Sequence, residues 1–102
     1  MAAAPTPTPV ELIHQQLRLR LMATLHGLKE GEPIDFPRLR DILGATDGNL
    51  GTHLTLLEGA GLIEVRKEFS HRKPRTLIVL TAAGREAFQA HVRYLRAIID
   101  GS

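Results

Sequence analysis

Between Pro37 and Leu80 the hydrophobic residues change their spacing partway, from a helical period to alternation, and this limits the folds open to the chain more than any other feature. Leu39, Ile42 and Leu43 recur at helical spacing after Pro37, a residue suited to a first helical turn because its missing N–H is not needed there. Gly44 can take the left-handed conformation that stops a helix, and Thr46 can start another by accepting a backbone N–H two or three residues on. Leu50, Leu54 and Leu57 then give a second helix its inward face, until Gly61 ends it. Past Gly61 the period becomes two. Ile63, Val65 and Phe69 fall on one side of a run from Leu62 to Phe69, and Thr76 to Leu80 is β-branched and apolar, so the two runs predict a hairpin across Ser70 to Arg75.

The segments on either side are helical. Val10, Ile13, Leu17, Leu21, Leu25 and Leu28 form one stripe that ends before the turn at Gly31 and Pro33, and Leu12, Leu19 and Met22 form a second on another face. Ile34-Asp35-Phe36 reads as a short extended segment. After Leu80, Thr81 is placed to cap a last helix with Phe88, Val92, Leu95 and Ile99 on one stripe and Ala87, Tyr94 and Ile98 on another. Each terminal helix thus has more apolar surface than one small core needs. That surplus predicts a twofold dimer, with Leu12, Leu19, Met22, Tyr94, Leu95 and Ile98 at its interface.

The bulk properties bound the function. A chain of 102 residues suits one domain, without room for a separate catalytic or ligand-sensing unit. No apolar run approaches the roughly 18 residues of a membrane span, and the absence of cysteine excludes a disulfide framework and thiolate chemistry and is compatible with a cytoplasmic setting. Met1 to Pro9, rich in Ala, Pro and Thr, resembles neither a secretory signal nor a transit peptide and is expected to be a disordered arm. The net charge of +2 argues little, but its distribution is uneven. Arg66, Lys67, Arg72, Lys73 and Arg75 face only Glu68 within their stretch, whereas Asp41 to Gly61 contains no Lys or Arg.

Assembled, these readings give a mainly α fold with a small β-hairpin: a winged helix-turn-helix whose N- and C-terminal helices form a dimer interface. The domain is expected over residues 10–99, with a recognition helix at about 47–60, a wing at about 62–80 and a C-terminal helix at about 82–99. The run Leu43-Gly44-Ala45-Thr46-Asp47-Gly48-Asn49-Leu50-Gly51-Thr52-His53-Leu54, the exit Glu58-Gly59-Ala60-Gly61-Leu62-Ile63 and the start Leu80-Thr81-Ala82-Ala83-Gly84-Arg85 resemble winged-helix transcriptional regulators of the MarR and ArsR groups. The resemblance covers about Leu12 to Leu95 and departs from the pattern at Gly51, where Ser is common, and at Thr55, near which a base is frequent. It implies a prokaryotic dimeric DNA-binding repressor or activator without enzyme activity.

On a helical wheel with Leu50, Leu54 and Leu57 inward, Gly48, Asn49, Thr52 and Thr55 form the opposite face, with His53 and Leu56 at its borders. Together with Thr46 and His53, these four are the candidates for contact with double-stranded DNA. Asn can pair with adenine, Thr can offer a hydroxyl or methyl, and Gly48 lets the helix N-terminus approach a phosphate. Asn49 could equally serve the cap, and Asp47 is the acid expected beside a helix dipole. Lys67, Arg72, Lys73 and Arg75 are the wing's candidates for phosphate or minor-groove contact, against the alternative of a solvated charged loop. Arg18, Arg20, Arg38 and Arg40 are either flanking phosphate contacts or ordinary surface charges.

Other chemistry finds little support. The five histidines show no helical chelating pair, so neither a metal nor a cofactor is expected. No nucleophile with a spaced base and no phosphate loop marks an enzyme. Single-strand or RNA binding is disfavoured because Phe36, Phe69, Phe88 and Tyr94 all sit in apolar patterns, leaving no platform for stacked bases. The remaining alternatives are a winged-helix protein adaptor and a non-specific DNA binder. An oily pocket between the terminal helices would leave room for a small-molecule effector, which the residues do not identify.

Overall fold

The computed structural model describes residues 9–101. In chain order it contains α1 (Pro9–His26), β1 (Ile34–Asp35), α2 (Phe36–Leu43), α3 (Asp47–Gly59), β2 (Ile63–Ser70), β3 (Lys73–Leu80) and α4 (Ala82–Ile99). This is the winged helix expected from the residues. The arm before Pro9, and the side chains of Val10, Leu12 and Ile13, lie outside what is described.

Each boundary has a local cause. Asp35 caps α2 by accepting the Arg38 N–H at 2.9 Å, so Phe36 opens the helix instead of extending the strand. Gly44 ends α2 at φ 63°, a left-handed geometry that a Cβ would strain. Thr46 caps α3 through the Asn49 N–H, and Thr81 caps α4 through the Gly84 N–H. The hairpin is tighter than the sequence suggests. β2 and β3 pair from Ile63↔Leu80 out to Ser70↔Lys73, leaving a two-residue turn of His71 and Arg72, both at positive φ. β1 adds a short third strand through Ile34↔Ile78 and Asp35↔Leu77, giving the order β1-β3-β2. Because β1 reaches no further than Leu77, β3 has an open edge at Pro74, where a proline is tolerated.

The core gathers Leu21 and Leu25 of α1, Leu39 and Leu43 of α2, Leu50, Leu54 and Leu57 of α3, and Ile63, Ile78 and Leu80 of the sheet. Met22 belongs to it as well. It is 6% exposed, so it is not part of a spare second stripe as expected. The reason is angular: Met22 lies next to Leu25 and Leu21 around α1 and widens their inward arc.

α4 behaves differently. Gly84 is its one buried residue, Phe88, Val92 and Leu95 are half-buried, and Ile99 is 80% exposed, so the expected inward stripe runs off the body of the domain. Its first turn is held tightly. Thr81 donates its N–H to the Leu62 carbonyl and its hydroxyl to the Gly61 carbonyl, and a Cβ on Gly84 would lie 1.9 Å from the Leu62 oxygen. Only glycine permits that approach, which accounts for the Leu-Thr-x-x-Gly-Arg pattern.

Candidate nucleic-acid interface

α3 presents two unlike sides because its leucines are drawn into the core. Leu50, His53, Leu54 and Leu57 are buried, while Asp47, Gly48, Asn49, Thr52, Thr55 and Leu56 are exposed. Thr46, Gly48, Asn49, Thr52 and Thr55 therefore share one open surface. His53 does not. It is 1% exposed and packed with the leucines, so its place among the candidate contacts is a misreading. At 100° per residue it stands about 40° beyond Leu57, at the edge of the leucine arc, and the packed surface reaches that far.

The polar face has a defined hydrogen-bonding state. Thr52 donates its hydroxyl to the Gly48 carbonyl at 2.9 Å, and Thr55 donates to the Gly51 carbonyl at 3.0 Å. With their protons engaged, both threonines present an acceptor lone pair and a methyl outward, which suits an amino donor or a thymine methyl. Asn49 spends its backbone N–H on the cap, and its side-chain amide makes no hydrogen bond among the described residues. Gly48 and Gly51 meet nothing within 4 Å where a Cβ would stand, so packing does not require glycine at either position.

Positive charge comes from neighbouring elements. Arg40 of α2 bonds Asp47 at 2.9 Å and Asp41 at 3.3 Å, tying the start of α3 to the helix before it. The bond it donates to Asp47, then that to Asp41, pushes the guanidinium pKa up, and Arg40 serves as a strut more than as a free cation. Arg66 pairs with Glu64 along β2 at 3.0 Å, and Arg75 reaches Asp35 at 3.5 Å. Lys67, Arg72 and Lys73 form no ion pair among the described residues, and all are exposed. Of the four expected wing contacts, Arg75 alone forms an ion pair among the described residues.

The ribbon also exposes a residue that sequence reasoning placed inside. Phe69 shares a face with Ile63 and Val65, as alternation requires, but it is 78% exposed near the tip. The expectation that every aromatic is occupied by packing fails there.

A second surface lies on the other side of the domain. α1 and α4 flank a groove of about 530 Å³ lined mainly by Leu19, Met22, Leu57, Phe88 and Leu95, with Arg18 and His91 at its rim. Tyr94 is 62% and Ile98 57% exposed beside it. Among the described residues no cluster of side chains is able to hold a metal ion, and no helix is long and apolar enough to cross a membrane.

Residues 17–99 match the family described as winged helix DNA-binding domain. An uncharacterised protein of Methanocaldococcus jannaschii is 34% identical over 83 residues, covering 81% of this chain and 87% of the relative. The structure of a transcriptional regulator homologue from Pyrococcus horikoshii OT3 superposes with a TM-score of 0.77 at 32% identity, over 84% of this chain and 82% of that one. A MarR-family putative regulator from Porphyromonas gingivalis W83 shares the fold, with a TM-score of 0.63 at 19% identity and full coverage of both chains. With a helix-turn-helix, a basic ribbon and a family match across most of its length, this chain belongs to the winged helix DNA-binding domain family and is similar in structure to a transcriptional regulator homologue.

Proposed function

We propose that the protein is a sequence-specific transcriptional regulator that binds double-stranded DNA as a homodimer. α3 enters the major groove, and the wing lies on the adjacent backbone or minor groove. The observation that carries this reading is the open face of Gly48, Asn49, Thr52 and Thr55 beside a ribbon whose Lys67, Arg72 and Lys73 have no acidic partner among the described residues. In this arrangement the cations supply affinity and the base-free face of α3 supplies discrimination. A helix without Lys or Arg reads bases through Asn49 and the outward lone pairs and methyls of Thr52 and Thr55.

The dimer is supported by apolar surface that the monomer leaves uncovered, namely Leu19, Tyr94 and Ile98 with the half-buried Leu95, around the groove between α1 and α4. A second copy seated there would place two reading helices at a fixed separation. A gel-shift titration with the chain's own upstream region and an unrelated duplex, at two salt concentrations, tests the reading. Preference for the upstream duplex that is lost in Asn49→Ala with Thr52→Ala supports it, and equal binding of both duplexes by the wild type refutes specificity.

One observation favours a second reading. α3 carries Asp47 and no base, as a helix docking a protein partner would. Failure of the wild type to retard any duplex at low salt would favour that adaptor role.

A further inference from the structure

The two faces of the wing differ in kind. Ile63, Val65, Lys67 and Phe69 of β2 stand across from Leu80, Ile78, Thr76 and Pro74 of β3 and share one face. Glu64, Arg66, Glu68 and Ser70 stand across from Val79, Leu77, Arg75 and Lys73 and share the other. Both acids of the ribbon therefore lie on the second face, where Arg66 and Arg75 lie with them. The first face holds no acid.

The first face is also the one turned towards α3. Its inner residues Ile63 and Ile78 join the core with Leu50, Leu54 and Leu57 of α3, and Val65 packs against that core. Beyond Val65 the helices no longer cover it, and Phe69 stands about 13 Å further out at the usual strand rise. The result is an exposed phenyl ring opposite a proline ring, with Lys67 on the same face, Arg72 in the turn and Lys73 on the opposite face, none of them in an ion pair among the described residues.

We propose that Phe69 and Pro74 form the apolar contact of the wing with duplex DNA, pressing into a base step in the minor groove and loosening its stacking while Lys67, Arg72 and Lys73 hold the flanking phosphates. The inference rests on the DNA-binding reading above and adds to it a contact of different chemistry. Charge selects the occupant: an exposed aromatic with Lys67 on its own face and Arg72 in the adjacent turn, neither with an acidic partner among the described residues, suits a polyanion with apolar walls, and minor-groove proteins insert apolar side chains at base steps in this manner. A second copy of this chain would bring the same positive charge against itself.

The salt dependence separates this contact from an electrostatic one. Phe69→Ala should weaken binding to every duplex about tenfold, because a lost aromatic contact is of that order, and should leave the salt slope unchanged. Phe69→Tyr should retain most of the affinity. A duplex carrying 2-aminopurine at successive positions should brighten at one step with the wild type and stay quenched with Phe69→Ala. Wild-type binding that Phe69→Ala leaves intact, with the same fluorescence, would overturn this inference alone. A wild type that binds no duplex would overturn the functional reading along with it. A change of oligomeric state in Phe69→Ala, read by light scattering, would assign the patch to self-association and likewise defeat the proposal.

Discussion

α3 and α4 are both amphipathic helices opened by a threonine cap, yet the fold uses them in opposite ways. α3 buries Leu50, Leu54 and Leu57 in its own subunit and leaves polar groups and glycine outside. α4 buries little beyond Gly84 and leaves Tyr94, Ile98 and Ile99 in solvent. The monomer core is complete without the outer half of α4. Apolar periodicity marks a helix that needs a partner, but it does not say whether the partner lies in the same chain.

The contrast can be broken or sharpened by measurement. The largest effect belongs to the one place where α4 is locked. Gly84→Ala should lower unfolding stability by about 4 kcal/mol, since the methyl must displace the Leu62 backbone or the helix start. Chemical denaturation measures this, and a loss below about 1 kcal/mol would mean that the corner is looser than its geometry implies. Leu50→Ala in α3 should cost about 3 kcal/mol by opening a cavity, whereas Ile99→Ala in α4 should cost less than about 0.5 kcal/mol. Similar losses for the two would erase the difference between the helices.

Smaller effects test the surfaces. Tyr94→Glu with Ile98→Glu should convert a dimer to a monomer by light scattering while far-ultraviolet circular dichroism stays the same, and a dimer that survives would move the seam elsewhere. Replacing Lys67, Arg72 and Lys73 with Ala should flatten the salt dependence of duplex binding by about one unit of log–log slope per lost phosphate contact. An unchanged slope would remove the wing from the interface. Smallest of all, Gly48→Ala should raise stability by about 0.5 kcal/mol, since the site is open and helical, while it weakens duplex binding. Improvement in both would show that no backbone approach occurs there.

Much of this was legible in the residues, and the misreadings share a cause. The helix-turn-helix, the hairpin and the open face of α3 follow from local signals such as Gly44, Thr46 and the leucine spacing. β1 is two residues long, too short to announce its pairing with β3. His53 and Met22 were misplaced at the edges of helical stripes, where the neighbouring packed surface sets the width of the buried arc. Phe69 and Ile99 were assigned to the correct face but to the wrong environment. Period two or 3.6 gives the direction of a side chain relative to its element, whereas burial depends on how far the element extends past its cover. A helix about 10 Å across shields about three residues of a strand, so an eight-residue ribbon whose base alone is covered by the helices overshoots them.

The turn joining the two ribbon strands has its own consequence. His71 and Arg72 hold φ values of 50° and 65°, where Asn and Gly would rest with less strain, and an L side chain there forfeits about 1 kcal/mol. The fold by itself would prefer an uncharged Asn-Gly at that bend. Thermal resilience and cationic reach are consequently opposed at Arg72, and a variant selected for heat tolerance alone would tend to blunt the tip.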